Sequence, residues 1–243
     1  MDRPIILDKS YLEGAKTSDI RALCDTRDVL MPDVLFYEMM SNERRRSRCF
    51  AKLPSRVNPM VLVDGIGKLL RYEIDNLRAA GRPSQHPVID QYRYHPGLGD
   101  NSFQLPSSAQ KALIDAAARL SGSVDSMTGL SSSMHRMFPS LLKGRDDQKK
   151  GVKAEIETLI ANDADAIRNF YRSFAAPQGE RPFPPAELID RNWTTFRWLQ
   201  VKLLFALDIF WRYERQTSDF SNQRIREKIE HDVLDMDYLS AGF

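Results

Sequence analysis

Two short apolar runs, each followed at once by helix-start chemistry, constrain this chain more than any other feature. Ile5-Ile6-Leu7 stops at Asp8, and Thr17-Ser18-Asp19 then offers an N-cap for a helix through Leu23. Val29-Leu30-Met31 is the second run. Pro32 suits the first turn of the next helix, and Asp33 is favourable beside the positive end of its dipole. Strand, helix, strand, helix in this order predicts an α/β unit built on a parallel sheet.

The middle of the chain is different. From about Asn58 to Ser218 strand signals are few, and helical patterns alternate with breakers. Residues 62–77 carry apolar side chains at helical spacing. Residues 86–105, rich in Pro, Gly and Tyr, read as loop. Ser107 or Ser108 caps an Ala-rich helix through Leu120, and the Ser/Gly/Thr-rich residues 121–133 read as a mobile connection. A long helix fits 147–174, a break follows from Pro177 to Pro185, and a core helix over 186–215 carries Trp193, Trp198 and Trp211. Ser221 or Asn222 starts the last helix. The expected organisation is an α/β core from residues 1–57 and 219–243, a helical insertion over 58–218, and a mostly helical chain overall.

Composition narrows the classes further. With 243 residues, 42% hydrophobic and 28% charged, the chain has the make-up of a soluble globular protein. A net charge of only +2 leaves any nucleic-acid surface to local clustering. Cys24 and Cys49 lack metal-ligand spacing and, with no leader pattern at the start, read as reduced thiols of a cytoplasmic protein. The longest apolar run, residues 201–211, is short for a membrane span and contains Lys202 and Asp208, so no membrane partner is expected.

Several carboxylates stand where burying charge gains nothing. Glu38 follows Leu35 by three and Val34 by four, so a helix places it on their side. It is either paired with a basic residue or bound to a metal. Asp8 is a cap or turn residue, or a ligand at the carboxyl end of a parallel strand, where open α/β folds build their sites. Asp232 and Asp235 share a helix face near a C-terminus, where the dipole and mutual repulsion both disfavour them; Asp237 points elsewhere. A cation or full solvation relieves both penalties. Acids from the two ends of the chain that converge would hold Mg²⁺ or Mn²⁺.

The densest basic stretch is Arg44, Arg45, Arg46 and Arg48, continued by Lys52 and Arg56. It is either a phosphate grip beside the acids or a solvated helix end where cations suit the dipole. The paired aromatics Phe170-Tyr171, Phe196 with Trp198, and Phe210-Trp211 read as core. His86, His95, His135 and His231 show no ligand spacing.

Three segments together carry a family likeness: Ile5-Ile6-Leu7-Asp8 before a helix, Met31-Pro32-Asp33-Val34-Leu35-Phe36-Tyr37-Glu38, and Asp232-Val233-Leu234-Asp235-Met236-Asp237-Tyr238-Leu239. In these pieces the chain resembles the PIN-like nuclease domains. The resemblance implies a PIN-like parallel sheet whose carboxyl edge holds divalent Mg²⁺ or Mn²⁺ for hydrolysis of phosphodiesters, usually in RNA. By position, Asp8 is the first acid, Glu38 the second and Asp235 the third, with Asp232 close behind and Asp237 as an alternative. Arg44, Arg45, Arg46 and Arg48 would position the nucleic-acid backbone. The family continues past its late helix into a further strand with a Thr/Ser-x-Asp segment, which this sequence lacks after Phe243. An uncovered sheet edge then implies weak cleavage, self-association, or an inhibitory protein partner. The contrasting expectation is a non-catalytic PIN-like interaction or regulatory protein with an incomplete site.

Overall fold

A computed structural model describes residues 4–56, 58–82, 85, 86, 96–174, 183–213, 220 and 222–242. Within it the first apolar run is strand β1 (Ile5–Ile6), followed by helices α1 (Lys9–Gly14) and α2 (Thr17–Thr26). The second run is β2 (Val29–Pro32), followed by α3 (Asp33–Met40) and α4 (Glu43–Phe50). A third strand, β3 (Val61–Val63), precedes α5 (Ile66–Asn76). The strands form one parallel sheet in the order β1-β2-β3, with Ile6 opposite Leu30 and Pro32 opposite Val63. All four residues of the central β2 are buried, as expected of a parallel strand covered on both faces.

Five further helices follow: α6 (Ser107–Met137), α7 (Asp146–Asn162), α8 (Ala164–Phe174), α9 (Thr194–Tyr213) and α10 (Gln223–Gly242). The α/β class and the predominance of helix follow directly. Two compact units form. One comprises Met1–Lys68 with Arg82–Ala118; the other comprises Leu69–Gly81 with Arg119–Ala241. The units divide the chain at other points than the expected core and insertion. Val61–Val63 is a strand of the first unit, although 58–218 reads as an insertion, and residues 219–241 belong to the second unit, not with the first 57. No helix among the described residues is long and apolar enough to cross a membrane.

Local chemistry explains the other departures. Residues 121–133 continue α6 as helix, and their hydroxyls find acceptors by turning back on the preceding turn. Thr128 donates to the Val124 carbonyl at 2.8 Å, and Ser132 to the Thr128 carbonyl at 2.9 Å. Under that polar composition Val124, Met127, Ser131 and Met134 share one buried face. The long helix expected over 147–174 is two helices divided at Asp163. That residue ends α7, and its carboxylate accepts from Asp165 N and Ala166 N to start α8. Residues 186–188 form only a 3-10 turn, and α9 begins at Thr194, after Trp193. The expected helix end at Arg215, the break from Pro177, His95 and Ser221 lie outside the described residues. Asn222 does cap α10, accepting from Arg224 N at 2.9 Å.

The second unit is organised around α9, which is buried on most sides, from Phe196 and Leu199 to Ile209 and Tyr213. Its N-terminus is satisfied by Glu73, a fully buried residue of α5. One Glu73 oxygen accepts from Thr194 N at 2.6 Å and Ala80 N at 2.9 Å. The other accepts from Thr195 N at 2.8 Å and from the Thr195 hydroxyl at 2.7 Å. A full negative charge thus meets the positive helix end and two of its orphan donors. Tyr171 of α8 donates to the Pro184 carbonyl at 2.8 Å, and burial, with the Glu73 charge adding to it, pushes its phenol up to about 12.

Two outcomes follow. Glu73→Ala should cost roughly 3 kcal/mol or more through its unsatisfied buried donors, and Glu73→Gln, with one acceptor oxygen, should fall between it and wild type in thermal denaturation. For Tyr171 the folded value lies above the ordinary phenol value of about 10. Its contribution to stability is therefore complete below pH about 10 and lost as pH rises towards about 12. Denaturant titrations across that window should show a smaller loss in Tyr171→Phe than in wild type.

Candidate metal centre and basic segment

Asp8 stands two residues beyond β1, at the carboxyl edge of the sheet. It is exposed, and its carboxylate accepts from Tyr11 N at 2.6 Å, making it the side-chain N-cap of α1. The other strands end the same way: Asp33 follows β2 and Asp64 follows β3. These two belong to the edge but are not among the predicted ligands. Asp64 carries no strand-edge signal in the sequence, because residues 62–77 have apolar side chains at helical spacing. Asp64 accepts an ion pair from Lys68 at 2.8 Å. Asp33 lies so close to Gly65 that a Cβ there would stand 1.9 Å from its Oδ2, which only glycine avoids.

Glu38 is on α3 and only 5% exposed. The Lys9 ammonium lies 2.5 Å from its Oε1, so a cation already balances the buried charge. The Glu38 carbonyl accepts from the Ser41 hydroxyl and the Arg45 guanidinium, at 3.0 and 3.2 Å, which fixes the end of α3.

The late acids belong to the second unit. Asp232 accepts from the Arg212 guanidinium at 2.6 Å. Arg212 also pairs with Asp208 at 2.9 Å, and Asp208 with Lys153 at 3.0 Å, so Asp232 closes an ion-pair chain through α7, α9 and α10. Asp235 is exposed. Asp237 lies near Lys202, whose ammonium donates to the Ser126 hydroxyl at 3.1 Å and stands 4.5 Å from the centre of the Trp198 ring. Burial lowers the Lys202 pKa, and the Asp237 charge opposes that shift. Within neither unit do the described His, Cys, Asp and Glu side chains gather in a group of three able to hold a metal ion. Cys24 and Cys49 are free and buried, and burial pushes both thiols up, away from reactivity.

The basic segment is largely consumed by structure. A helix ends with carbonyls that lack intrahelical donors, and its dipole is negative there. Lys52 donates to the carbonyls of Leu12 and Glu13 at 2.8 Å and of Ala15 at 2.9 Å, and Arg48 donates to the Glu13 carbonyl at 2.8 Å. Together they close the C-terminus of α1. Arg45 pairs with the Glu13 carboxylate at 2.7 Å. Arg56 performs the same service for α2, donating to the Cys24 carbonyl and pairing with Asp25 at 3.2 Å.

Arg46 is buried, 3% exposed, donates to the Phe103 carbonyl at 2.6 Å and lies over the Phe103 ring. The reading of these arginines as one exposed patch is therefore corrected for Arg46. The spacing held the signal: Arg46 precedes Cys49 by three and Phe50 by four, and all three share the buried face of α4. Arg44 is exposed. A polar cleft of about 470 Å³ lies at the amino edge of β2 and β3, walled by Asp25, Arg27, Asp28, Arg56 and Asn58, on the sheet edge opposite Asp8.

No protein-family model, curated protein or solved structure matches this chain.

The two kinds of arginine should separate experimentally. Arg46→Ala removes a buried guanidinium and leaves the Phe103 carbonyl without that donor, at a cost of roughly 2 kcal/mol. Arg44→Ala should stay within about 0.5 kcal/mol of wild type. Equilibrium denaturation of the two variants checks this, and equal midpoints would show that the Arg46 contacts contribute nothing.

Proposed function

We propose that the chain is a metal-dependent nuclease of PIN-like type that hydrolyses phosphodiester bonds, most readily in RNA. The observation that carries the reading is Glu38: a buried carboxylate on the helix after β2, already balanced by a cation, in the unit where Asp8 follows β1 at the sheet's carboxyl edge. Hard carboxylate oxygens suit Mg²⁺ or Mn²⁺, and the cation that meets Glu38 here is the Lys9 ammonium. Among the described residues no three such ligands gather, and the first unit offers only Asp8 and Glu38 of the four proposed ligands. Asp232 and Asp235 belong to the second unit, where Asp232 pairs with Arg212. When bound, the ion supplies Lewis acidity and an activated water. The chain's own part is to hold Asp8 by its cap, to hold Glu38 by its buried helix face, and to meet phosphate with Arg44 and Arg48. Arg45 and Arg46 act indirectly, by holding α4 in place.

A second reading, a non-catalytic interaction or regulatory protein, is favoured by a specific observation. Asp8, Glu38 and Asp232 each already have a structural partner, in Tyr11 N, Lys9 and Arg212.

The deciding measurement is incubation of the purified protein with RNA, single-stranded DNA and duplex DNA in Mn²⁺, Mg²⁺ or EDTA. The nuclease reading expects metal-dependent cleavage of RNA, abolished by EDTA. It expects a fall of about two orders of magnitude or more in Asp8→Asn and Glu38→Gln, with circular dichroism confirming that both variants fold. RNA left intact under every condition favours the interaction protein.

A further inference from the structure

The turn at Asp163 that divides α7 from α8 also borders a cleft of about 300 Å³ in the second unit. Leu159 and Ile160 wall it before the turn, and Ala166, Ile167 and Phe170 after it; Met137, at the end of α6, lines it as well. Leu159 is 40% exposed, a large apolar side chain left facing solvent. A helix end normally brings free carbonyls to such a place, but here they are taken. The Leu159 carbonyl accepts from Asp163 N at 2.9 Å. Those of Ile160 and Ala161 accept from the Gln200 amide at 3.0 and 2.8 Å, and that of Asn162 from Arg191 at 3.1 Å. At the start of α8 the Asp163 carboxylate holds Asp165 N and Ala166 N. Among the described residues of the lining Ser173 alone has a polar side chain, and it donates to the Phe170 carbonyl at 2.7 Å.

We infer that this cleft is a binding site for a small, uncharged apolar molecule, of the size of a fused two-ring aromatic or a short alkyl chain. A charged or hydrogen-bonding ligand would lose its water there without replacement. The volume falls at the lower end of small-molecule sites, roughly 300–1,000 Å³, which helix bundles build between their helices. An apolar cavity of about 150 Å³ holds benzene, so this cleft takes a molecule about twice that size. A partner's helix would need a longer groove, because its anchors recur every three or four residues along successive turns. The thioether of Met137 adapts to rings of differing shape. The site lies wholly in the second unit and does not rest on the nuclease reading.

The test is fluorescence titration of the full chain with N-phenylnaphthylamine, a neutral dye that brightens in apolar surroundings. Wild type should bind it saturably, with a dissociation constant of roughly 10–100 µM. Ala166→Phe, which sets a ring inside the cleft, should weaken binding about tenfold or more. Leu239→Ser, at an exposed leucine of α10, should leave it unchanged. Absent saturation, or equal affinity in wild type and Ala166→Phe, overturns the inference. Should Ala166→Phe unfold, wild type supplies a second readout. The Met137 methyl resonance, assigned with Met137→Leu, should shift saturably as the dye is added, and a methyl that stays unmoved sinks the inference. A dimer in light scattering that Ala166→Phe separates would also overturn it, because the occupant is then a second copy of this chain.

Discussion

The second unit depends on a single buried carboxylate. Glu73 is fully buried yet gathers four donors, three backbone N–H groups and the Thr195 hydroxyl. A charge so placed is tolerable only with complete satisfaction, because an unpaired carboxylate in a low dielectric costs far more than any one hydrogen bond returns. In exchange it fixes where α9 begins, and α9 is the helix around which the apolar core from Val124 to Met236 closes. Arg197 adds a second tie, donating to the Gly81 carbonyl at 2.9 Å. Segments remote in sequence are thus joined by polar contacts that specify geometry, while apolar burial supplies most of the stabilisation.

The first unit uses charge in the opposite sense. Its helices are short, six residues in α1 and ten in α2, so their end groups are a large share of their backbone. Lysine and arginine from the segment after α3 reach those ends and donate to carbonyls that solvent would otherwise have to satisfy. What looks in composition like a nucleic-acid grip is, for most of its members, the scaffold that holds α1 and α2 beside the sheet.

That scaffold also sets Asp8 and Lys9, the N-cap and first residue of α1, in place. Asp8 begins the helix, Lys9 balances Glu38, and Lys52 closes the far end. The acid at the carboxyl edge begins the helix, and the residue after it supplies the cation for the buried acid on α3. With the ammonium in place the site is an internal ion pair.

The sequence by itself determined the elements whose signals are local. Strands β1 and β2, their parallel sense, the start of α3 at Pro32-Asp33 and the burial of Glu38 all follow from short-range spacing, in which neighbours three or four apart share a helix face. The third strand escaped because Val61-Leu62-Val63 is only three residues long and runs into a helical period that begins at the same leucine. The helical character of residues 121–133 escaped because its buried face, Val124, Met127, Ser131 and Met134, is sparse among residues whose composition reads as loop. Tertiary structure alone decided the roles of the charges. Glu73 caps a helix whose first residues lie 121 positions away, Arg46 turns inward onto Phe103, Lys52 serves α1, and Asp232 pairs with Arg212. A charged side chain has no preferred partner in sequence; it takes the one that the folded backbone brings within reach, and desolvation makes that choice binding.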